Sequence, residues 1–271
     1  MLKKVLIIGN GFVGKNLFYF FNNKYDTTIT NKEKLNVENE EKIKNYFYNK
    51  KFDIIIYAAG NKNIKSCESD ADKAYFINSY AINMISKYAK FEKLIYLSTD
   101  YVFDGKKGNY SELDSPNPVT VYGKSKMLGE QFTLNLNNKG IVVRTSGIYG
   151  KDCTWIEWLN KEIHSNNDIE CFQDVFNTPT YVFDLANMIN EIFINDFCGI
   201  INLCGLEIIN RYELFKTFLN VNNFNTKNLI ISKNDGTFPY NLSLNNDKYL
   251  KTFNYKPLSL NDGFRHLKES K

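Results

Sequence analysis

The sequence predicts an α/β fold in which a parallel sheet carries helices on both faces. Three observations point there. Short apolar runs ending at or near glycine recur over about the first 150 residues, segments with apolar residues at helical spacing separate them, and a G-x-G-x-x-G turn (Gly9, Gly11, Gly14) joins the first run to the first helical segment. Continuous β-branched runs without alternation suit strands covered on both faces. Strand and helix in alternation give parallel pairing with right-handed crossovers.

In order, KVLIIG (4–9) reads as the first strand, and FVGKNLFYFF as a helix with Phe12, Val13, Leu17, Phe20 and Phe21 apolar. TTIT (27–30) is the second strand, EEKIKNYFYNK a helix, and FDIIIYAAG (52–60) the third strand. AYFINSYAINMISKYAK predicts one helix over 74–90, followed by strand KLIYLSTD (93–100), helix GKSKMLGEQF and strand GIVVRTSGIYG (140–150). Beyond Gly150 the pattern loosens. Helices are expected around 155–164, 181–193, from Arg211, and over 260–268, with strands near 170–172 and 199–205. The chain is thus expected to form a dinucleotide-binding domain over 1–150 and a smaller substrate-binding domain over 151–271, some segments of which return to the first sheet.

Composition narrows the class. Of 271 residues 43% are hydrophobic, enough for a sizeable core, and the net charge of +4 comes from scattered basic residues, which argues against nucleic-acid binding. The five cysteines (Cys67, Cys153, Cys171, Cys198, Cys204) are odd in number and without CxxC spacing, and His164 and His266 lie far from any Cys pair. That excludes a disulfide framework and a zinc site, and no metal is expected. MLKKVLIIG is too short for a signal peptide and lacks a small-residue cleavage site, and no run approaches the ~18 apolar residues of a membrane span. A cytoplasmic protein without membrane partners is expected.

The glycine turn has specific mechanics. Gly9 permits the tight bend, Gly11 lets the backbone approach a pyrophosphate, and Gly14 lets helix and strand close up. Phe12 and Val13 open the helix, where free N–H groups face an anion. An acidic residue after the second strand would read a ribose 2′-hydroxyl. Here neutral Asn31 and then Lys32, able to meet a 2′-phosphate, favour NADPH over NADH, with Glu33 arguing the other way.

The stretches LSTDYVFDG (97–105) and VYGKSKMLGE (121–130) suggest chemistry. On a helix Tyr122 and Lys126 share a face one turn apart. A phenol near pKa ~10 needs ~4 kcal/mol to exchange protons near neutrality. An ammonium ~4 Å away at an effective dielectric of ~20 contributes about that much. In a reduction the demand is milder, because the tyrosine acts as a protonated acid. Thr99 or Ser98, at the strand tip, is placed to hydrogen-bond the oxygen that receives the proton.

These motifs resemble the extended short-chain dehydrogenase/reductases, and within them the dTDP-4-dehydrorhamnose reductase-like family of sugar nucleotide reductases. RTSGIYG (144–150), FNTPTYVFDLA (176–186) and PYNLSLNNDKYL (239–250) extend the likeness along essentially the whole chain. The resemblance implies a Rossmann-type doubly wound domain, a nucleotide-sugar domain, and nicotinamide-dependent reduction of a 4-keto group on a nucleotide-linked 6-deoxysugar, as in deoxysugar biosynthesis for surface polysaccharide. It assigns Thr99, Tyr122 and Lys126 as the catalytic set. It also assigns Ala58, Ala59, Gly60, Asn36 and Val37 to the cofactor, and Lys62, Asp100 and Tyr101 to the substrate.

Departures are specific. Gly9-Asn10-Gly11 has one residue fewer than the family's usual first spacing, and Lys62, Ile64 and Gly147 replace the usual Thr, Val and Trp near the sugar, so another deoxysugar or nucleotide is implied. Tyr101 replaces the Glu of related dehydratases, and Asp100 and Lys151-Asp152 stand where fucose-forming epimerases carry Cys and His, so a plain reductase is favoured over an epimerase or dehydratase. A non-catalytic NADP-binding regulatory homologue is a rival from another class. Many relatives pair two helices across a dimer axis, and the sequence leaves monomer and homodimer open.

Overall fold

The computed structural model describes residues 2–269 of the chain. The first apolar run forms β1 (Lys4–Ile8), and Phe12–Asn22 forms α1. β2 (Asp26–Thr30), α2 (Glu40–Phe47) and β3 (Lys51–Tyr57) follow. Next come α3 (Ile64–Ser69), α4 (Ala71–Tyr75), α5 (Ala81–Tyr88) and β4 (Lys90–Leu97). α6 (Val121–Leu134) and β5 (Gly140–Arg144) complete the alternating part.

Later come α7 (Thr154–His164), β6 (Ile169–Phe172), β7 (Phe176–Asn177), α8 (Val182–Ile194) and β8 (Gly199–Asn202). The chain then forms β9 (Ile209–Asn210), α9 (Arg211–Val221), β10 (Leu229–Ser232), α10 (Asp247–Thr252) and α11 (Leu260–Glu269).

Six strands make the main sheet in the order β2-β1-β3-β4-β5-β8. β1 pairs in parallel with β2 and β3, and β4 in parallel with β3 and β5. The last four residues of β1 and of β3 are all buried, and β5 is buried along its whole length, as doubly covered strands must be. On one face Leu6, Ile8, Ile55, Tyr57, Leu94 and Tyr96 pack with Ile43, Phe47, Ile82 and Ile85 from α2 and α5. Each such side chain contributes roughly 1.5–3 kcal/mol by leaving water.

One sequence expectation is corrected. The single helix over 74–90 is broken: α4 ends at Tyr75, a π turn spans Phe76–Tyr80, α5 ends at Tyr88, and Lys90 already belongs to β4. The physical reason lies at Asn78, fully buried inside the π turn. Its Nδ2 donates to Asn61 O (3.1 Å) and Ser125 Oγ (2.9 Å), and its Oδ1 accepts from Asn61 N (2.9 Å). The extra residue of a π turn aims a side chain inward that regular helical spacing would place elsewhere.

One compact unit comprises 1–103, 115–144 and 189–201, and the other 104–114, 145–188 and 202–271. The break follows β5 directly, because β5 and the returning strand β8 are both tied into the six-stranded sheet.

The second unit has its own small sheets, β6 with β10 in parallel and β7 with β9 antiparallel. Its core is aromatic: Tyr149 lies 4.8 Å from Phe264 and Trp155 stacks 5.5 Å from Phe215, measured between ring centroids. Among the described residues no helix is long and apolar enough to cross a membrane, and no group of three or more His, Cys, Asp or Glu is placed to hold a metal ion.

Candidate active site

The ends of three neighbouring strands lie level. Ile8 of β1 pairs with Tyr57 of β3, and Tyr57 with Tyr96 of β4, so the chain leaves all three strands on one rim. At a strand spacing of ~4.8 Å, the residues after β4 stand about 10 Å from the glycine turn after β1.

The turn itself is built by glycine. Gly9 has φ +108°, and a Cβ there would meet Ala59 N at 2.6 Å. A Cβ on Gly14 would meet the Gly9 carbonyl oxygen at 1.9 Å, so helix and turn close only with glycine. Gly11 differs. A Cβ there would meet nothing within 4 Å, so no contact inside the protein demands glycine. It caps α1 and borders an open cradle.

That cradle is a cavity of about 260 Å³. Gly9, Gly11, Asn31, Lys32, Asn36, Val37, Ala58, Ala59 and Gly60 all line it, and the sequence reading had missed Ile8, Asn10, Leu35, Glu38 and Ile77, which join them. Leu35 and Ile77 carried only the signal of an apolar residue, indistinguishable from core. Phe12, Val13 and Gly14 do not line it; they form the first turn of α1 behind it. The first N–H groups of a helix have no partner within it. With the side-chain-free face at Gly11, these groups fit the pyrophosphate of a dinucleotide. Across the cavity Lys32 Nζ meets Glu38 Oε1 at 2.9 Å.

After β4 the chain turns through Asp100–Val102, and the Thr99 hydroxyl accepts from Tyr101 N at 3.3 Å and donates to Asp100 Oδ1 at 2.9 Å. The turn runs against the start of α6, where the Thr120 hydroxyl caps the helix by accepting from Gly123 N at 3.0 Å. The Thr99 hydroxyl interacts with the Tyr122 phenol, and the Tyr101 and Tyr122 rings meet edge to face at 5.7 Å. Thr99, Asp100, Tyr101, Tyr122 and Lys126 are thus gathered at one strand end. Lys62 is exposed in the loop before α3.

Lys126 is 4% exposed. Its Nζ donates to Leu97 O at 2.5 Å and lies 4.1 Å from the centre of the Tyr96 ring. Burial lowers its pKa to about 7, against the opposing pull of Glu130. Burial has the other effect on Tyr122, whose pKa it raises strongly; the Thr99 bond works against that rise, while Asp100, Tyr101 and Cys67 add to it.

The Lys126 ammonium is thus tied to the carbonyl that ends β4. Beneath the site Glu130 accepts from Ser98 Oγ (2.5 Å) and from Arg144 Nε and Nη2 (3.0 and 2.7 Å), a buried network absent from the sequence reading. Its members lie apart in sequence, just after β4, on α6 and on β5, which no local motif could reveal.

A glycine turn opening a doubly wound sheet, with a Thr and a Tyr brought together and a buried Lys beyond a later strand, defines the extended short-chain dehydrogenase/reductase class. Residues 3–253 match the RmlD substrate binding domain family, and the chain belongs to that family.

Among its relatives is the dTDP-4-dehydrorhamnose reductase of Aggregatibacter actinomycetemcomitans, 30% identical over 70% of this chain and 67% of that protein. The methionine adenosyltransferase 2 subunit beta of Danio rerio is 27% identical over 84% of this chain and 76% of that one. The crystal structure of dTDP-4-dehydrorhamnose reductase from Bacillus anthracis, in complex with NADP, superposes with a TM-score of 0.92 at 28% identity, covering 100% of both chains.

Proposed function

We propose that this chain uses NADPH to reduce the 4-keto group of a nucleotide-activated 6-deoxysugar in the cytoplasm. The observation that carries this reading is the gathering of Thr99 and Tyr122 at the end of β4, their hydroxyls interacting, with Lys126 buried one turn further along α6. The relative and the solved structure named as dTDP-4-dehydrorhamnose reductases support it.

In this reading Gly9, Gly11, Asn31, Lys32, Asn36, Val37 and Ala58–Gly60 hold the dinucleotide, with the α1 N-terminus facing its phosphates. The reduced nicotinamide supplies the hydride when bound. Tyr122 donates its hydroxyl proton to the sugar oxygen, and burial keeps that proton on the phenol until it is needed. Thr99 orients the oxygen. Lys126 binds the cofactor's ribose and, in its protonated form, offsets the negative charge left on Tyr122; burial loosens that proton. Asp100, Tyr101 and Lys62 contact the sugar nucleotide.

The test mixes purified protein with NADPH and a panel of 4-keto-6-deoxy nucleotide sugars. Loss of reduced-cofactor absorbance with one of them supports a reductase, whereas product without net cofactor consumption indicates an epimerase or dehydratase. The Danio rerio relative, named as the beta subunit of a methionine adenosyltransferase, supports a second reading, the non-catalytic NADP-binding regulatory homologue. Dinucleotide binding with inertness toward every sugar would select it.

A further inference from the structure

We infer that Glu38 is a selectivity-determining residue for the cofactor, narrowing the preference for NADPH over NADH by competing with a 2′-phosphate for Lys32. The inference rests on the proposed dinucleotide reading of the cavity.

Lys32 and Glu38 both line that cavity, and their side chains meet at 2.9 Å. They differ in freedom. Lys32 is 64% exposed at the side chain, whereas Glu38 is 27% exposed, with its backbone N–H held by Asn36 Oδ1 at 3.0 Å. Glu38 is the fixed partner, Lys32 the movable one. The other nearby acid does not substitute for it, because Glu33 Oε2 accepts from Asn31 Nδ2 at 3.4 Å. Asn31 Oδ1 in turn accepts from Lys34 N at 3.0 Å, which turns the Asn31 side chain onto its own loop. The charge of Glu38 also reaches the β3 end of the cavity, where Tyr57 is pushed up first by burial and then by Glu38.

The pair is electrically neutral. A 2′-phosphate, close to a dianion, must draw Lys32 from Glu38 and then lie beside a carboxylate left without its cation. A 2′-hydroxyl meets no such penalty and can donate to the carboxylate. An exposed ion pair of this kind is weak, so it yields to ligand without disturbing the fold; its effect falls on the ratio of affinities.

Calorimetric titration of the intact protein tests this, with NADPH and NADH and with the fragments adenosine 2′,5′-bisphosphate and 5′-AMP. In Glu38→Gln the ratio of NADPH to NADH affinity should rise about five- to tenfold, chiefly through tighter NADPH, and the fragment pair should move in parallel. The gain should shrink in ~1 M salt, where the Debye length falls to ~3 Å. An unchanged ratio in Glu38→Gln, with both dinucleotides binding the parent, overturns the inference and leaves the cavity reading intact. Failure of the parent to bind any of the four ligands removes both.

Discussion

At Tyr122 and Lys126 the same apolar surroundings act in opposite directions on a proton, retaining it on the phenol and loosening it from the ammonium. A lysine at about pKa 7 when folded and ~10.4 when unfolded is held at a cost below pH 7, and that cost fades as pH rises toward 10. The sign follows from proton counts: between those values the unfolded chain binds the extra proton, so stability rises with pH. Relative to Lys126→Met, the parent should therefore gain roughly 4 kcal/mol of unfolding free energy between pH 7 and 10, as denaturant titrations can measure. A flat difference would show that Lys126 keeps an ordinary pKa. The residue types of this site were legible in the sequence, since Thr99, Tyr122 and Lys126 stand at a strand end and on one helix face. Their electrostatics were not. The turn of Lys126 toward Leu97, and the network of Glu130 with Ser98 and Arg144, depend on packing between distant segments.

At the scale of elements, the first turn of α1 separates folding from binding. Gly14→Ala places a methyl against the Gly9 carbonyl and should lower the melting temperature by several degrees, since small-to-large changes in tight contacts cost about 1–3 kcal/mol. Gly11→Ala meets no protein atom and should lower melting less than Gly14→Ala, only through the poorer helix cap, while weakening dinucleotide binding at least tenfold, measured by the same calorimetry. Equal dinucleotide affinity in parent and Gly11→Ala would show that the cradle is not where phosphate lies. The strands of the main sheet were legible because doubly buried strands write themselves as continuous apolar runs. The break between α4 and α5 was not, because 74–90 has unbroken helical spacing and the π turn answers to partners of Asn78 on other segments. The pairing of β6 with β10, four residues each and separated by α8 and α9, likewise left no periodic trace.

At the scale of the whole molecule, stability should carry a pH signature from the second unit. Asp184 on α8 is 2% exposed and accepts from Tyr255 Oη (2.5 Å) and Leu258 N (3.1 Å), yet burial outweighs these bonds and raises its pKa to about 6. A carboxyl raised above its unfolded value stabilises the fold below pH ~4 and loses that contribution as pH climbs through 6. Between pH 4 and 7 the parent should lose about 3 kcal/mol relative to Asp184→Asn; a constant difference would contradict the buried acid. The division into two units was legible only in outline. Residues 104–114 and 189–201 each belong with a unit distant in sequence, and no linker composition marks those exchanges.

The central claim is that the Tyr122 hydroxyl delivers the proton in a dinucleotide-dependent ketone reduction. Its most direct measurement compares parent and Tyr122→Phe in NADPH consumption with a 4-keto-6-deoxy nucleotide sugar, alongside calorimetric NADPH binding. Turnover should fall by ~10²–10⁴-fold with NADPH affinity nearly unchanged. Turnover in Tyr122→Phe equal to that of the parent would contradict it.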